Sequence, residues 1–383
     1  MLASESFPKR FSPESLRMFY FAKVGVSSSV GKDKVSPRRF EEHLQENIDT
    51  ILRKTRNQSY RFTTYRQMLN LKGPKSCPRE ICIPTIRDRL TLCALSAVLD
   101  DVYGNTCQTP QPQAMIDRVV GALSSKEYDC FLKFDLSRFY GSIPHDKLLT
   151  TIRRKIRKPE VLHLLTEAIT TSSSAFDARS RVPREEGVPE GLSISNRLAN
   201  VYVSDIDVHF ASRQDIRYFR YVDDILILCK TSGVDDIEKQ MEIAVKRLGL
   251  SLNRDKSVKG SLSSKPFEYL GYLFCPRDNV SVRALSRRRL ESSLESHIKQ
   301  YEKTINKTLW LWRLNLRITG CRISYDGRSF ERFGWVHYFS RLNDIGLLCH
   351  LDWLVKKLFS RFSIPVPLSS VASFKKAYYE IKH

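Results

Sequence analysis

Two acidic side chains stand side by side at Asp223 and Asp224, inside Arg217-Tyr-Phe-Arg-Tyr-Val-Asp-Asp-Ile-Leu-Ile-Leu-Cys229. Apolar β-branched and aromatic runs flank them, which predicts two strands joined by a tight turn with carboxylates at its tip. Neighbouring carboxylates repel, and one takes up a proton unless positive charge sits beside them. A divalent cation supplies that charge, and oxygen-only ligands suit Mg²⁺ or Mn²⁺. A surface turn is the plain alternative, since aspartate is common in turns. A third acid, Asp135, ends the apolar run Cys130-Phe-Leu-Lys-Phe-Asp. If the two strand systems share one sheet, three carboxylates meet and can clamp two metal ions about 3.5–4 Å apart. One ion would activate an attacking hydroxyl and the other stabilise a leaving oxygen. That is the apparatus of nucleotidyl transfer, in which a protein mainly supplies position and charge.

The elements that must position these acids are legible in outline. Ser12 followed by Pro13 predicts a capped helix over 12–24. Phe40, Leu44, Ile48, Ile51 and Leu52 recur at spacings of three and four, so 37–56 reads as one amphipathic helix. Residues 58–86 read as extended, broken at Gly73-Pro-Lys75 and stopped by Pro84. A buried helix is expected over 88–103, helices over 145–170 and from 193 to about 209, and an amphipathic helix over 234–249 closed by Gly249. Pro266 to Cys275 reads as a second hairpin, and 283 onward as mostly helical.

Composition sets the context. Lys and Arg number 63 against 42 Asp and Glu, a net charge of +21, which implies a polyanionic partner, nucleic acid first. Residues 283–383 carry 19 Lys and Arg against 8 Asp and Glu, about half of that excess. Arg283, Arg287, Arg288 and Arg289 cluster there, and Tyr301, Trp310, Trp312, Trp335 and Tyr338 lie among basic residues, as in a backbone track with stacking surfaces. The nine cysteines include no Cys-x-x-Cys, and most sit in apolar runs, as thiols do in a reducing cytosol. Cys77 and Cys82 lack the second His or Cys pair that a zinc site requires. No signal peptide opens the chain, and no apolar run reaches the roughly 20 residues of a membrane span. A cytoplasmic location without membrane attachment is expected.

Taken in order, the motifs resemble those of reverse transcriptases. Phe134-Asp-Leu-Ser-Arg-Phe-Tyr140 is similar to the family's first catalytic motif. Gly187-Val-Pro-Glu-Gly191, with Ser195 and Leu198-Ala-Asn-Val-Tyr202, resembles the second, and Tyr221-Val-Asp-Asp224 the third. Leu248 to Lys256 resembles the fourth, Tyr269-Leu-Gly271 the primer grip, and Arg79 to Arg89 the fingers segment. The resemblance spans about 75–275. It implies an α+β right-hand polymerase with an N-terminal extension and fingers over 1–125 and a palm over 126–280. The palm would be an antiparallel sheet with helices on one face, and a helical, basic thumb would follow over 281–383.

The same resemblance implies roles. Asp135, Asp223 and Asp224 would be catalytic and hold two Mg²⁺ (or Mn²⁺), with Leu136 lending a backbone carbonyl. Arg79 would grip the incoming triphosphate, since a guanidinium fork matches phosphate oxygens. Tyr140 would collide with a 2′-hydroxyl and so select deoxynucleotides. Gly191 would let backbone approach the nucleotide, and Lys256 would neutralise the leaving pyrophosphate. Glu190, Tyr269, Gly271, Arg287, Arg288 and Arg289 would face nucleic acid. Glu190 departs from the family, many of whose members carry Gln there, and an acid near phosphates calls for a basic partner.

About 110 residues follow Gly271, room for one thumb but not for a ribonuclease H or integrase segment. Asp135 to Ile143, Pro189-Glu-Gly-Leu-Ser-Ile-Ser195 and Arg332 to Ser340 look most like the bacterial defence-associated and abortive-infection enzymes. The expected partners are then a structured non-coding RNA template, dNTPs and a DNA product. A homo-oligomer or a second protein subunit stays open. So do a retron or group II intron-like enzyme, an untemplated or protein-primed polymerase, and a catalytically silent RNA-binding scaffold.

Overall fold

The structure, a computed structural model, describes residues 1–71, 78–176, 182–276, 278–324 and 330–382. The expected break at 73–75 and Cys77 lie outside them. The chain divides into two compact units, one of residues 1–109, 134–213 and 235–256, the other of 110–133, 214–234 and 257–383.

The first unit is mostly helical. Ser12 caps the helix Pro13–Phe19 by accepting from the Ser15 N–H, and a π-helical turn, Tyr20–Val24, extends it. The helix expected over 37–56 is two, Pro37–Glu42 and Leu44–Arg56, separated at His43. Both still bury the expected apolar face, with Phe40, Ile48 and Ile51 inside. The 145–170 helix is likewise two, His145–Arg153 and Pro159–Thr170, the second starting on a proline whose missing N–H costs nothing there. The long helix Ile86–Tyr103 is the unit's axis and buries Leu90, Leu95, Val98 and Leu99. Asp88, in its first turn, is fully buried. Burial raises its pKa, but hydrogen bonds from the Tyr60 hydroxyl (2.8 Å), the Thr85 hydroxyl (2.8 Å) and the Thr63 N–H (3.0 Å) favour its charged form. Beside this helix lies a three-stranded sheet. Tyr65–Asn70 pairs antiparallel with Arg79–Ile83, placing Asn70 opposite Arg79, and parallel with the short strand Ser173–Ser174.

The second unit is built on two antiparallel sheets. In the four-stranded one, Arg217–Tyr221 lies outermost, followed by Asp224–Cys229, then Cys130–Asp135, then Val258–Ser261. The three-stranded sheet is Phe267–Tyr269, Tyr272–Cys275 and Asn279–Val282. Helices Pro112–Ser124, Ala284–Lys299, Lys307–Thr319, Ile345–Arg361 and Phe374–Lys382 close over them around one apolar core. The rings of Phe131, Phe267 and Phe274 stack through that core with centroids 4.6 and 4.9 Å apart. Each such ring contributes on the order of 1.5–3 kcal/mol by burial. The basic C-terminal region is therefore helical as expected, with one addition, the hairpin of Cys321–Ser324 and Phe330–Phe333. The eight described cysteines are all free thiols. Among the described residues, no helix is long and apolar enough to cross a membrane.

Candidate active site

Asp135 closes a strand whose first three residues, Cys130, Phe131 and Leu132, are buried on both faces. The chain beyond it is pinned by the segment 251–253. The Asn253 N–H donates to the Asp135 carbonyl at 2.7 Å, and the Ser137 N–H to the Ser251 carbonyl at 2.8 Å. Between them Leu136, its side chain buried, bridges Leu252. The Asp135 carboxylate is mostly buried and lies 3.3 Å from the Lys256 ammonium. The first and fourth motifs are thus one local structure, which sets the Lys256 ammonium beside Asp135.

The aspartate hairpin of the second unit has the shortest common form. Tyr221 is paired with Asp224, so only Val222 and Asp223 make the turn. Val222 has φ +58°, the left-handed region that costs a β-branched residue roughly 1–2 kcal/mol. The Arg220 guanidinium donates to the Val222 carbonyl at 2.9 Å and helps hold it there. Asp223 is exposed at the tip. Asp224 begins the return strand and its Oδ1 is 3.1 Å from the Lys133 ammonium. Lys133 and Asp135 are two apart on one strand and so project to the same face. Among the described residues, no three His, Cys, Asp or Glu side chains form a ready-made metal cluster.

In the first unit, Tyr140 sits on the short turn Phe139–Ser142. Its carbonyl accepts from the Val188 N–H at 2.7 Å, and its hydroxyl donates to Asn196 at 3.3 Å, which in turn donates to Thr109 at 2.7 Å. The expected sugar-facing tyrosine is therefore fixed to the Gly187–Gly191 turn and the helix after it. Gly191 has φ +101°, and a Cβ there would stand 2.7 Å from the Cys82 carbonyl oxygen, so only glycine fits. The residue before it, Glu190, has its carboxylate ion-paired with the Arg79 guanidinium. The basic partner that an acid at 190 calls for is the residue expected to bind triphosphate.

In the second unit, a groove of about 590 Å³ is lined by Asp224, Leu270, Gly271, Arg283, Arg289 and Trp335, among others. Gly271 and Arg289 both line this groove. Arg288 is exposed, and Arg287 pairs with Glu291 one helical turn on, at 3.6 Å. Tyr269 is a correction. Its ring is fully buried in the core, so it supports the Leu270-Gly271 turn rather than touching nucleic acid. Its hydroxyl is buried with no hydrogen-bond partner, and burial, then the charge of Asp224, holds its pKa well above the tyrosine range. Sequence reasoning missed the helix Pro112–Ser124, whose Met115, Ile116 and Val119 enter the core. Pro112 at its first turn and that spacing were the available signal. It also missed Lys133 as a partner of Asp224, for which alternation along the strand was the clue.

Comparison with known proteins places the chain in a family. A family model described as reverse transcriptase (RNA-dependent DNA polymerase) matches residues 71–274. An uncharacterized 91 kDa protein in a cob intron of Schizosaccharomyces pombe is 25% identical over 167 residues, 42% of this chain and 20% of that protein. Protein YkfC of Escherichia coli is 23% identical over 146 residues, 35% of this chain and 38% of YkfC. A putative COX1/OXI3 intron 1 protein of Saccharomyces cerevisiae is 20% identical over 290 residues, 60% of this chain and 34% of that protein. The chain thus spans well under half the length of these curated relatives. Among solved structures, telomerase from Candida albicans in complex with a fragment of telomeric RNA superposes with a TM-score of 0.50 at 15% identity, over 90% of this chain and 62% of that one. That likeness shows the α+β right-hand polymerase fold. Since the family model covers more than half of its residues, in the stretch that contains all three acids, the chain belongs to the reverse transcriptase (RNA-dependent DNA polymerase) family.

Proposed function

We propose that the protein is an RNA-directed DNA polymerase, with Asp135, Asp223 and Asp224 as its catalytic carboxylates. The observation that carries this reading is the aspartate hairpin. Two adjacent acids are held on a left-handed valine turn, a strained conformation of the kind proteins keep where function requires it. The neighbouring strand of the same sheet ends in Asp135. The donor set fits Mg²⁺, because carboxylates and the Leu136 carbonyl are hard oxygen ligands. Lysine ammoniums beside Asp135 and Asp224 mark both as places where cationic charge is stable. When bound, the metal supplies the charge that lowers the barrier to attack and departure at the phosphorus.

The chain's own residues do the rest. Arg79 receives the triphosphate, and Tyr140, fixed through Asn196, excludes a 2′-hydroxyl. Lys256 offsets charge on the leaving pyrophosphate. Gly271, Arg283, Arg287, Arg288 and Arg289 guide the nucleic acid backbone. The division into fingers and extension (1–125), palm (126–280) and thumb (281–383) belongs to the same reading. So do a structured non-coding RNA as template, dNTPs, a DNA product and a role in bacterial antiphage defence. The sequence motifs support the defence role. A second reading, an intron-associated reverse transcriptase, is supported by the two fungal relatives, both named for introns.

Extension of a DNA primer on an RNA template in Mg²⁺ tests the proposal. Asp223→Ala should abolish synthesis with RNA binding retained, and full synthesis by that variant would remove the metal-ligand assignment. Tyr140→Ala should admit ribonucleotides. An unchanged preference for deoxynucleotides would end its gate role. Sequencing the nucleic acid that copurifies from native expression separates the finer readings. One dominant structured RNA with complementary DNA supports a dedicated template, and intron RNA supports the second reading.

A further inference from the structure

Arg79 opens the strand Arg79–Ile83, and its Nε donates to Glu190 Oε2. The contact is built in by the backbone. The Cys82 N–H, three residues along the same strand, donates to the Glu190 carbonyl at 2.7 Å. Gly191 then presses against the Cys82 carbonyl so closely that no side chain fits. The Glu190 main chain is therefore laid along the strand that carries Arg79, which brings its carboxylate within reach of that guanidinium. Solvent still reaches the pair, with 42% of the Arg79 side chain and 25% of the Glu190 side chain exposed. A carboxylate and a phosphate offer a guanidinium the same face of two oxygens. The pair thus has the form of an anion site filled by the protein's own anion.

We propose that Glu190 is a built-in competitor for the triphosphate site at Arg79. Its carboxylate holds the guanidinium in the free protein, and the phosphates of an incoming dNTP must displace it. The inference rests on the reading of Arg79 as the triphosphate ligand. It identifies Glu190 as a positioning residue that weakens nucleotide capture. A nucleotide must break the ion pair and then lie near the displaced carboxylate, so the chain needs a higher dNTP concentration than it would with an amide at 190. The effect falls on KM more than on kcat, because the pair is broken before chemistry begins.

The test uses the full chain with two readouts, calorimetric binding of inorganic tripolyphosphate and the dTTP dependence of primer extension. Glu190→Gln keeps the shape and removes the charge, and Glu190→Ala serves if the amide variant folds poorly. Either should bind tripolyphosphate about two- to fivefold more tightly, the scale of a part-exposed ion pair, and lower KM more than it changes kcat. Glu80→Gln is the control. That acid is next on the same strand but pairs with Arg184 at 3.5 Å, and its loss should leave tripolyphosphate binding unchanged. In an Arg79→Gln background the gain from Glu190→Gln should vanish. Equal or weaker binding by both Glu190 variants overturns the proposal, as does a gain that persists without Arg79 or appears equally in Glu80→Gln. If Arg79→Gln alone leaves tripolyphosphate binding unchanged, the triphosphate role of Arg79 fails instead, a separately visible result.

Discussion

Two hairpins of the second unit are built alike and differ at their second turn residue. Each has a tyrosine before a two-residue turn, Tyr221 before Val222-Asp223 and Tyr269 before Leu270-Gly271. Each puts a bulky aliphatic residue in the left-handed region, Val222 at φ +58° and Leu270 at φ +48°. They part at the second turn position. Gly271, at φ +82°, adopts positive φ without a steric cost, so the turn has positive φ at both positions, as a type I′ hairpin requires. That turn is also tied down. The Tyr338 hydroxyl donates to the Leu270 carbonyl at 3.0 Å, and the Arg283 N–H to the Gly271 carbonyl at 3.0 Å. The aspartate hairpin puts an exposed carboxylate where its counterpart has glycine, and a second acid immediately after it. Both turns carry left-handed strain at their first position; one is tied down by Tyr338 and Arg283, and the other presents charge.

The largest expected effect separates them by chemistry. Asp223→Asn should remove at least three orders of magnitude of DNA synthesis while leaving the thermal midpoint within a few degrees, because an exposed turn residue supports little packing. Gly271→Val should do the reverse. Its Cβ has room, the nearest atom being the Phe339 ring at 3.5 Å, but a β-branched residue at φ +82° costs roughly 1–2 kcal/mol. Synthesis should fall only several-fold, in step with the lost stability. A Gly271→Val protein as stable as the parent would show that the second turn does not need its glycine.

A smaller effect probes the tyrosines that hold the scaffold turn. Tyr272 donates its hydroxyl to the Tyr338 carbonyl at 2.6 Å, whereas the Tyr269 hydroxyl is buried without a partner. Tyr272→Phe should therefore cost about 1 kcal/mol in a denaturant titration. Tyr269→Phe should be neutral or stabilise by a similar amount, since it removes an unsatisfied buried group. A substantial loss on Tyr269→Phe would show that the hydroxyl does have a partner in the folded protein.

What the sequence disclosed about these regions follows from the range of the interactions. Both hairpins were legible because alternation and turn chemistry are local, and so were Asp135 at a strand end and the Ser12 cap. The breaks at His43 and between Arg153 and Pro159 were less so, because apolar spacing continues across a bend that the packing partner decides. The helix Ala3–Arg10 went unread for a similar reason. It is short and is anchored by Arg10 and Ser6 to Asp101, some 90 residues away. The Arg79–Glu190 and Lys133–Asp224 pairs are likewise long-range. The unusual Glu190 announced that a cation was needed, but only the structure identified Arg79 as that cation. Tyr269 was misread as surface because a motif fixes where a residue stands in the chain, not which face of a strand it takes.

The smallest expected effect returns to the strained valine. Val222→Gly releases a left-handed β-branched residue, a gain of roughly 1–2 kcal/mol, and adds backbone freedom to the unfolded chain, a loss of roughly 0.5–1 kcal/mol. The net expectation is a hairpin more stable by up to about 1.5 kcal/mol, read as a small rise in the denaturation midpoint. Leu270→Gly should give a similar rise, because the two positions share the same backbone region. DNA synthesis should distinguish them. A freer turn at 222 lets the Asp223 carboxylate wander and slows synthesis several-fold, whereas the 270 turn is still held by Tyr338 and Arg283 and should lose little. If Val222→Gly were both more stable and fully active, the strain at Val222 would be incidental. If it were destabilised by more than about 1 kcal/mol, packing of the valine side chain would outweigh its backbone strain, and the contrast between the two turns would reduce to their second residues.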